Sequence, residues 1–170
     1  MARIAILTAS DKGASGTRDD ASGDVIATRA LEKGHTIAAR VILADDRVAI
    51  ATQLTEWADS NVADIVITTG GTGLSVRDVT PEATRDVAER DVPGIPIALA
   101  IEGLKNTPFA VLSRGIAVTR KATLIVNLPG NPRAVEEGMS VLLPLLKHVT
   151  QVLTGPLEHR TAADSGHGLP

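Results

Sequence analysis

The chain of 170 residues has 44% apolar residues, no cysteine and a formal net charge of −3, a composition typical of one compact globular domain. The lack of cysteine excludes disulfides, thiolate catalysis and zinc sites with cysteine ligands. The slight negative charge and the scarcity of aromatic residues, with one Trp, one Phe and no Tyr, argue against a nucleic-acid partner, because such binding uses basic surfaces and aromatic stacking.

The N-terminal region carries no apolar segment of the kind that directs secretion. Residues 1–3 lead directly into a strand-like apolar run, and no stretch of the chain is long enough to span a bilayer. We therefore expect a cytoplasmic protein with no membrane partner.

Strands and helices are predicted to alternate along the chain. Apolar or β-branched runs predict strands at residues 3–9, 36–43, 63–67, 115–119 and 122–127. Apolar residues at steps of three and four, with glycine and proline breaks, predict helices at residues 22–34, 48–58, 81–90, 94–105 and 135–153. Pro144 is predicted to break or kink the last of these helices. The alternation predicts an α/β fold in three layers, with a mostly parallel sheet covered by helices on both faces.

Other segments are interpreted from their polarity or from single residues. Residues 10–22 are polar and contain two glycines, so we predict a long loop. Trp57 shares a helix face with Leu54 and is predicted to lie in the core or in an interface. We expect residues 1–154 to form one domain and the patternless polar residues 155–170 to form a flexible tail.

The most informative motif is the glycine-rich turn Thr-Thr-Gly-Gly-Thr-Gly at residues 68–73. It directly follows residues 63–67, whose continuous apolar character predicts a buried parallel strand. Glycines in such a turn let the backbone approach a ligand closely and point its N–H groups outward. A plain tight turn is the alternative, but Arg77 and Asp78 in the following loop favour a phosphate-binding site.

Two better-known phosphate motifs are excluded. No stretch carries the P-loop spacing of glycine, four residues, glycine, lysine and then Ser or Thr. The dinucleotide-binding fingerprint requires a third glycine after residues 71 and 73, and Val76 stands where that glycine is needed.

Two residues are predicted to cap helices. Thr80 is the candidate N-cap of the helix after the glycine-rich turn, because Pro81 suits the first helical position. Asp46 is the candidate cap of the second helix. Its neighbour Asp45 has two interpretations, a cap or a site residue, and spacing alone does not choose between them.

Acidic residues also follow several predicted strands, at the sheet edge where ligands bind to parallel sheets. Asp45 follows the second strand, Asp78 follows the third, and Asp20 lies beyond the loop after the first. We expect their segments to converge on one edge of the sheet. Most other acidic residues lie within predicted helices and are interpreted as solvated charges: Glu32, Asp59, Glu89, Glu136 and Glu137.

A series of short motifs occurs in one order along the chain, at residues 10–11, 16, 20–23, 68–73, 77–84, 107–108, 112–115 and 127–132. In this order and at this spacing they closely resemble the molybdopterin adenylyltransferase family of molybdenum-cofactor biosynthesis, and the resemblance spans residues 3–154. It implies a molybdopterin-binding fold, usually trimeric, that joins AMP from ATP to molybdopterin with Mg²⁺ present and releases pyrophosphate. The implied partners are molybdopterin and ATP, the implied cofactor is Mg²⁺, and the implied assembly is a homotrimer.

The resemblance also implies roles for individual residues. Asp45 and Asp78 match the acidic positions that are tied to metal and catalysis. The nucleotide loop of the family matches Thr69, Gly70, Gly71, Thr72 and Gly73, and its second glycine turn matches Asn127, Pro129, Gly130 and Asn131. Ser113 matches a serine on the pterin-phosphate side, and further candidates for substrate binding are Ser10 and Arg77.

The implied chemistry suits the residues of this chain. The attacking group is the terminal phosphate of molybdopterin, already an anion near neutral pH, so the reaction needs no strong general base and no histidine in the motifs. Catalysis then depends on neutralising charge and aligning the reacting groups, and Asp carboxylates together with substrate phosphates suit Mg²⁺. Arg77 and Arg114 are candidate cations for the phosphates, whereas a surface position is favoured for Lys12.

The chain departs from the family at two positions. Members commonly carry an acidic residue and, three positions later, an arginine, where this chain has Ile97 and Ala100. Two interpretations stay open: a weakened or repurposed member, or an apolar contact between subunits in place of the pair. Alternatives to the transferase are a superfamily member that binds pterin or nucleotide without turnover, and a nucleotide pyrophosphatase on the same fold.

Overall fold

A computed structural model describes residues 1–155 of the chain. The strands are β1 (Arg3–Ala9), β2 (Thr36–Leu43), β3 (Ile65–Thr69), β4 (Arg90–Asp91), β5 (Ala117–Arg120) and β6 (Thr123–Leu128). The helices are α1 (Asp11–Ala14), α2 (Ala21–Glu32), α3 (Arg47–Asp59), α4 (Thr80–Asp86), α5 (Gly94–Leu104) and α6 (Pro132–Thr154), with a 3₁₀ helix at Pro108–Leu112. The tail predicted from residue 155 onward lies almost entirely outside the described residues, and the domain boundary at residue 154 stays a prediction.

The six strands form one mixed sheet in the order β2-β1-β3-β6-β5-β4. The first four strands of that order are parallel to one another, whereas β5 runs antiparallel to β6 and to β4. The prediction of a mostly parallel sheet is confirmed. Since parallel strands end at the same edge, the loops that follow β1, β2, β3 and β6 meet there.

Helices cover both faces of the sheet, which confirms the three-layer prediction. On one face, Ile26 of α2, Ile95 of α5 and Met139 of α6 pack in one cluster with alternate residues of β1 and β3. On the other face, Leu54 and Trp57 of α3 belong to a second cluster with α4. Trp57 is buried, so its predicted place in the core is confirmed.

The region around α4 differs from the prediction in two respects. Thr80 is not the N-cap: Val79 occupies that position without a side-chain hydrogen bond, and Thr80 is the first helical residue and is fully buried. The Thr80 N–H donates to the Gly71 carbonyl oxygen at 3.1 Å, so a contact with the glycine-rich turn replaces the predicted cap. The helix ends at Asp86 rather than near residue 90, because the chain then pairs with β5 as the two-residue strand β4.

Three further predictions about helices can be compared with the structure. The predicted loop 10–22 contains the short helix α1, whose N-cap Ser10 accepts a hydrogen bond from Gly13 N–H. Asp46 caps α3, as predicted, by accepting from the Ala49 N–H at 2.9 Å. Helix α6 continues through Pro144 without a break, and its buried leucines on both sides of the proline offset the local cost of about 3 kcal/mol.

The steps of three and four in residues 48–58 predict an apolar face that begins at Val48, and this prediction is wrong at Val48. Val48 is exposed, and the buried face consists of Ile50, Leu54, Trp57 and Ala58. Within residues 1–155, no helix combines the length and the apolar character needed to cross a bilayer.

Candidate active site

A cleft of about 760 Å³ lies at the edge where the parallel strands end. Most of the predicted nucleotide and pterin residues line it: Gly70, Gly71, Thr72, Gly73, Asp78, Ser113, Asn127, Pro129, Gly130 and Asn131. The loops after β3 and β6 form its polar end, and α5 with the 3₁₀ helix forms its apolar wall. The cleft therefore joins a region rich in backbone amides to a region that suits a flat organic ring.

Two glycines of the turn have backbone conformations that favour glycine. Gly70 and Gly71 have φ angles of 87° and 63°, in the left-handed region. A Cβ atom on Gly70 would collide with the Ala9 carbonyl oxygen, and one on Gly71 would collide with the Thr80 hydroxyl. The turn is thus packed against β1 and α4, with no room for side chains on that side.

The N–H groups of the turn differ in their hydrogen-bond partners. The Gly70 N–H donates to the Leu128 carbonyl oxygen at 3.2 Å. Within residues 1–155, no hydrogen bond uses the N–H of Gly71, Thr72 or Gly73. Successive free N–H groups in a glycine-rich turn form a concave site for an anion.

Arg114 holds this turn in place. Its guanidinium donates to the carbonyl oxygens of Gly73 at 2.7 Å and Asp78 at 2.8 Å, and it forms an ion pair with Glu82. The pKa of Glu82 is lowered because its carboxylate accepts a hydrogen bond from Arg114. Arg114 was predicted as a candidate cation for phosphates. In the structure, its guanidinium group instead joins the two ends of the loop 73–78.

Asn127 and Thr69 make hydrogen bonds between the segments that carry the two glycine turns. The Asn127 amide donates to the hydroxyls of Thr68 at 2.9 Å and Thr84 at 2.8 Å, and its oxygen accepts from the Ile116 N–H at 3.1 Å. The Thr69 hydroxyl donates to the Pro129 carbonyl oxygen at 2.7 Å. These side chains are occupied within the protein, so they position the turns.

Asp45 and Asp78 flank the glycine-rich turn. Asp45 Oδ1 lies 3.1 Å from the position of a Cβ atom on Gly71, and Asp78 Oδ2 lies 2.9 Å from that of Gly73. Burial raises the pKa of Asp45, and the neighbouring charges of Asp11 and Asp78 act in the same direction, although hydrogen bonding by the Asp11 N–H opposes them. The turn therefore carries a carboxylate beside each of these two glycines.

Asp20, the third acidic residue predicted at this edge, has a structural role. Its carboxylate caps α2 by accepting from the Gly23 N–H at 3.0 Å and forms an ion pair with Arg40 at 2.6 Å. It also accepts a hydrogen bond from the Thr8 hydroxyl at 2.9 Å. These contacts leave it beside the site, where it lines a smaller cleft of about 120 Å³.

Two predicted substrate residues lie away from the walls of the main cleft. Ser10 lines the smaller cleft, and its hydroxyl caps α1. Arg77 is exposed and forms an ion pair with Asp11 at 2.6 Å. Ser113 does line the main cleft, and its hydroxyl lies 3.5 Å from that of Thr72.

Arg18 was missed by the sequence analysis. It lines both clefts, which also share Gly70 and Gly130. In the part of the chain that the structure describes, Arg18 forms no ion pair with a carboxylate and is the one basic residue on the wall of the main cleft. The signal in the sequence was its position between the motifs at residue 16 and residues 20–23, within the predicted loop 10–22.

The two positions at which the chain departs from the family have different surroundings. Ala100 lines the main cleft beside Leu99 and Pro96, whereas Ile97 is 60% exposed on the outer side of α5. Phe109 and Leu112 of the 3₁₀ helix complete the apolar wall. One departure therefore shapes the cleft and the other lies on an outer surface.

Comparison with known proteins agrees with this architecture. The family profile described as the probable molybdopterin binding domain matches residues 5–148. A molybdopterin adenylyltransferase of Helicobacter pylori strain J99 is 35% identical over 159 residues, which cover 89% of this chain and 88% of that protein. Its counterpart from Escherichia coli K12 is 38% identical over 138 residues, which cover 79% of this chain and 70% of that protein.

Solved structures share the fold over nearly the whole length. The molybdopterin biosynthesis enzyme MoaB of Thermus thermophilus superposes with a TM-score of 0.86 at 42% identity, covering 92% of this chain and 98% of that one. The profile match spans both glycine turns, Asp45 and Asp78. The chain therefore belongs to the molybdopterin-binding domain family of molybdenum-cofactor biosynthesis.

Proposed function

We propose that this chain is a molybdopterin adenylyltransferase, which transfers AMP from ATP to the phosphate of molybdopterin and releases pyrophosphate. Relatives that bear this name are 35% and 38% identical over most of the chain. One observation carries the proposal: residues 71–73 line the main cleft with N–H groups that have no partner within residues 1–155, and Asp45 and Asp78 lie beside Gly71 and Gly73. An anionic nucleotide with a bound divalent cation suits this arrangement.

We assign the phosphates of ATP to the polar end of the cleft. The amides of Gly71, Thr72 and Gly73 would donate to phosphate oxygens, and Arg18 on the wall of the same cleft would supply a positive charge. Arg114 contributes indirectly, because it fixes the carbonyl groups of the same loop.

Mg²⁺ fits the residues that are present. Among the described residues, no three His, Asp or Glu side chains are grouped to hold a metal by themselves. Asp45 and Asp78 offer hard oxygen ligands. Mg²⁺ is usually held by one or two carboxylates, here those beside Gly71 and Gly73, together with substrate phosphates. Once bound, the ion would neutralise phosphate charge and help align the triphosphate.

The apolar wall is proposed to hold the pterin. Leu99, Ala100 and Phe109 line that end of the cleft, and Ser113 stands between it and the glycine-rich turn. A ring held there can direct its phosphate oxygen towards the α-phosphorus of ATP. The new O–P bond forms as the bond to the pyrophosphate oxygen breaks, and the protein's contribution is alignment and charge stabilisation.

We also propose a homotrimer that acts in the cytoplasm, where its substrate ATP is available. The surface of α5 supports self-association, since Ile97 and Ile101 are 60% and 58% exposed on a helix in which only Ile95 is buried. A helix that is apolar on all sides is normally buried. An apolar subunit contact in place of the family's charged pair is consistent with this surface.

The function is tested with purified protein, molybdopterin and Mg·ATP by following pyrophosphate release and adenylylated molybdopterin. Formation of both products in equal amounts is the expected result. Tight nucleotide binding without turnover would contradict the transferase and favour a binding protein. Hydrolysis of ADP-ribose in the absence of a pterin would instead favour a pyrophosphatase.

A further inference from the structure

Asp11 lies where three loops of the candidate site meet. It follows β1 after one intervening residue, and it contacts Asp45 from the loop after β2 and Arg77 from the loop after β3. Both of its carboxylate oxygens and its own N–H are used in these contacts. Within residues 1–155, no other part of α1 makes a comparable set of hydrogen bonds to the glycine-rich edge.

Asp11 and Asp45 exchange two hydrogen bonds. The Asp11 N–H donates to Asp45 Oδ2 at 3.1 Å, and the Asp45 N–H donates to Asp11 Oδ1 at 3.1 Å. This closed pair fixes both the backbone and the side chain of Asp45. It leaves Asp45 Oδ1, the oxygen nearest Gly71, facing the turn.

The second oxygen of Asp11 anchors the loop that carries Asp78. Arg77 donates to Asp11 Oδ2 at 2.6 Å, and Asp78 is the next residue in the chain. The pKa of Asp11 is lowered, chiefly because its carboxylate accepts this hydrogen bond from Arg77. One side chain thus links the segments that carry both candidate metal ligands.

A purely local role for Asp11 does not account for these contacts. The N-terminus of α1 is capped by Ser10, whose hydroxyl oxygen accepts from the Gly13 N–H at 3.1 Å. The side chain of Asp11 accepts instead from residues that are 34 and 66 positions away. A residue that served only α1 would not need both long-range partners.

We propose that Asp11 is a positioning residue that orients Asp45 Oδ1 and holds the Asp78 loop for a divalent cation carried by the nucleotide. This inference rests on the proposed function, in which Asp45 and Asp78 contact that cation. Each Asp11 oxygen already accepts a hydrogen bond, from the Asp45 N–H or from Arg77, and the proposal gives the metal to Asp45 and Asp78. Removal of Asp11 should therefore weaken metal binding through Asp45 without removing a ligand.

The experiment measures Mn²⁺ binding by electron paramagnetic resonance in the presence of α,β-methylene-ATP, with no turnover required. Asp11→Ala, Asp45→Asn and the double variant are compared with the unsubstituted chain. Asp11→Ala is expected to weaken Mn²⁺ binding by about tenfold, the range for losing a hydrogen bond with a charged partner. The loss in the double variant is expected to be smaller than the sum of the two single losses, because part of the effect of Asp11→Ala acts through Asp45.

Two further variants separate positioning from charge and from folding. Asp46→Asn removes a negative charge next to Asp45 and retains an oxygen that can cap α3, so it should leave Mn²⁺ binding within about twofold. Asp11→Asn keeps an oxygen for the Asp45 N–H but loses the ion pair with Arg77, and it should restore part of the affinity. Thermal unfolding of each variant shows whether the measured protein is folded.

The outcomes distinguish this inference from the function on which it rests. Suppose that Asp45→Asn binds Mn²⁺ weakly, as the proposed function requires. Unchanged Mn²⁺ binding in folded Asp11→Ala, or a loss in the double variant equal to the sum of the single losses, would then overturn the positioning role and leave the proposed function standing. Unchanged binding in Asp45→Asn would overturn the metal assignment, and the role of Asp11 would fail with it.

Discussion

The hydroxyl oxygen of Thr80 occupies the space in which a Cβ atom of residue 71 would lie, so Gly71 and the start of α4 are in direct contact. The Thr80 N–H also donates to the Gly71 carbonyl oxygen at 3.1 Å. Gly71 also lines the main cleft, so Thr80 supports a residue of the candidate site. The Thr80 hydroxyl is buried without a hydrogen-bond partner in residues 1–155, which indicates that packing against the turn is retained at some cost.

Replacing Gly71 with Ala should remove most ATP binding. The added methyl group must displace Thr80, and a left-handed conformation costs an Ala residue roughly 1–2 kcal/mol. Gly34→Ala is a matched control, since Gly34 has a φ of 76° but no atom within 4 Å of the added Cβ. Calorimetric titration with Mg·ATP should show at least tenfold weaker binding for Gly71→Ala only. Similar affinities for both variants would contradict the phosphate-binding role of the turn.

Asp78→Ala should lower turnover strongly and change stability little. Asp78 Oδ2 accepts only a loop hydrogen bond, from the Ser75 N–H at 2.9 Å, so its loss should cost about 1 kcal/mol of unfolding free energy. Removal of a group that stabilises transition-state charge typically lowers kcat by about 10²–10³. Pyrophosphate release and thermal unfolding provide the two measurements, and Asp86→Ala, which removes an exposed carboxylate on α4, is the control. A rate within twofold of the unsubstituted chain would remove Asp78 from the mechanism.

Arg18→Gln should weaken ATP binding, because Arg18 is the basic side chain on the wall of the main cleft among the described residues. Lys12→Gln provides the control: Lys12 is an exposed cation on the same segment but does not line either cleft at this edge. We expect the KM for ATP to rise about tenfold in the first variant, as for a lost charge-assisted hydrogen bond, and to stay unchanged in the second. Equal effects of the two substitutions would indicate general electrostatics in place of a specific contact.

Local sequence signals were sufficient for five of the six described strands and for the glycine-rich turn. Strand β3 is covered on both faces, so it consists of consecutive buried residues and gives an unbroken apolar run. The turn that follows requires a left-handed backbone conformation, and the presence of glycines in the sequence indicates such a turn. The same reasoning placed Asp45 and Asp78 at one edge, because parallel strands end together.

Long-range contacts explain what the sequence did not predict. Thr80 and Pro81 carry the pattern of a helix start, but tertiary contact with Gly71 moves Thr80 into the helix and buries it. Arg114 lies 41 residues from Gly73, and nothing in its neighbours indicates that its fork will hold that carbonyl group. The Asp11–Asp45 exchange likewise joins residues 34 positions apart, and it depends on the adjacency of β1 and β2 in the sheet.

Stability should decrease as the pH falls from 7.5 to 5.5, in part through His35. This side chain is buried, and its Nδ1 accepts from the Ala2 N–H at 3.1 Å. Burial, and then the positive charge of the N-terminus, lower the pKa of His35 below its ordinary value of 6.5. The unfolded chain therefore takes up the proton first, so the contribution of His35 is complete above pH 6.5 and is lost as the pH falls towards the lower pKa of the folded state.

Urea unfolding at several pH values measures this effect, with His35→Asn as the comparison. The Asn oxygen can accept from the Ala2 N–H but does not titrate, so the decrease in unfolding free energy between pH 7.5 and 5.5 should be smaller in the variant. Parallel curves for the two proteins would contradict the role of His35. His148 is exposed and serves as a second control through His148→Asn.

The exposed apolar surface of α5 should control the oligomeric state. Ile101 is 58% exposed beside Ile97, and burial of such side chains contributes roughly 1.5–3 kcal/mol each relative to exposure. Ile101→Glu should therefore shift the proposed trimer towards monomer in sedimentation velocity, because a carboxylate would have to be desolvated in the contact. Val48→Glu changes an equally apolar exposed residue on α3 and should leave the sedimentation coefficient unchanged. A trimer that persists in Ile101→Glu would place the subunit contact elsewhere on the surface. A monomeric unsubstituted chain would exclude the proposed trimer.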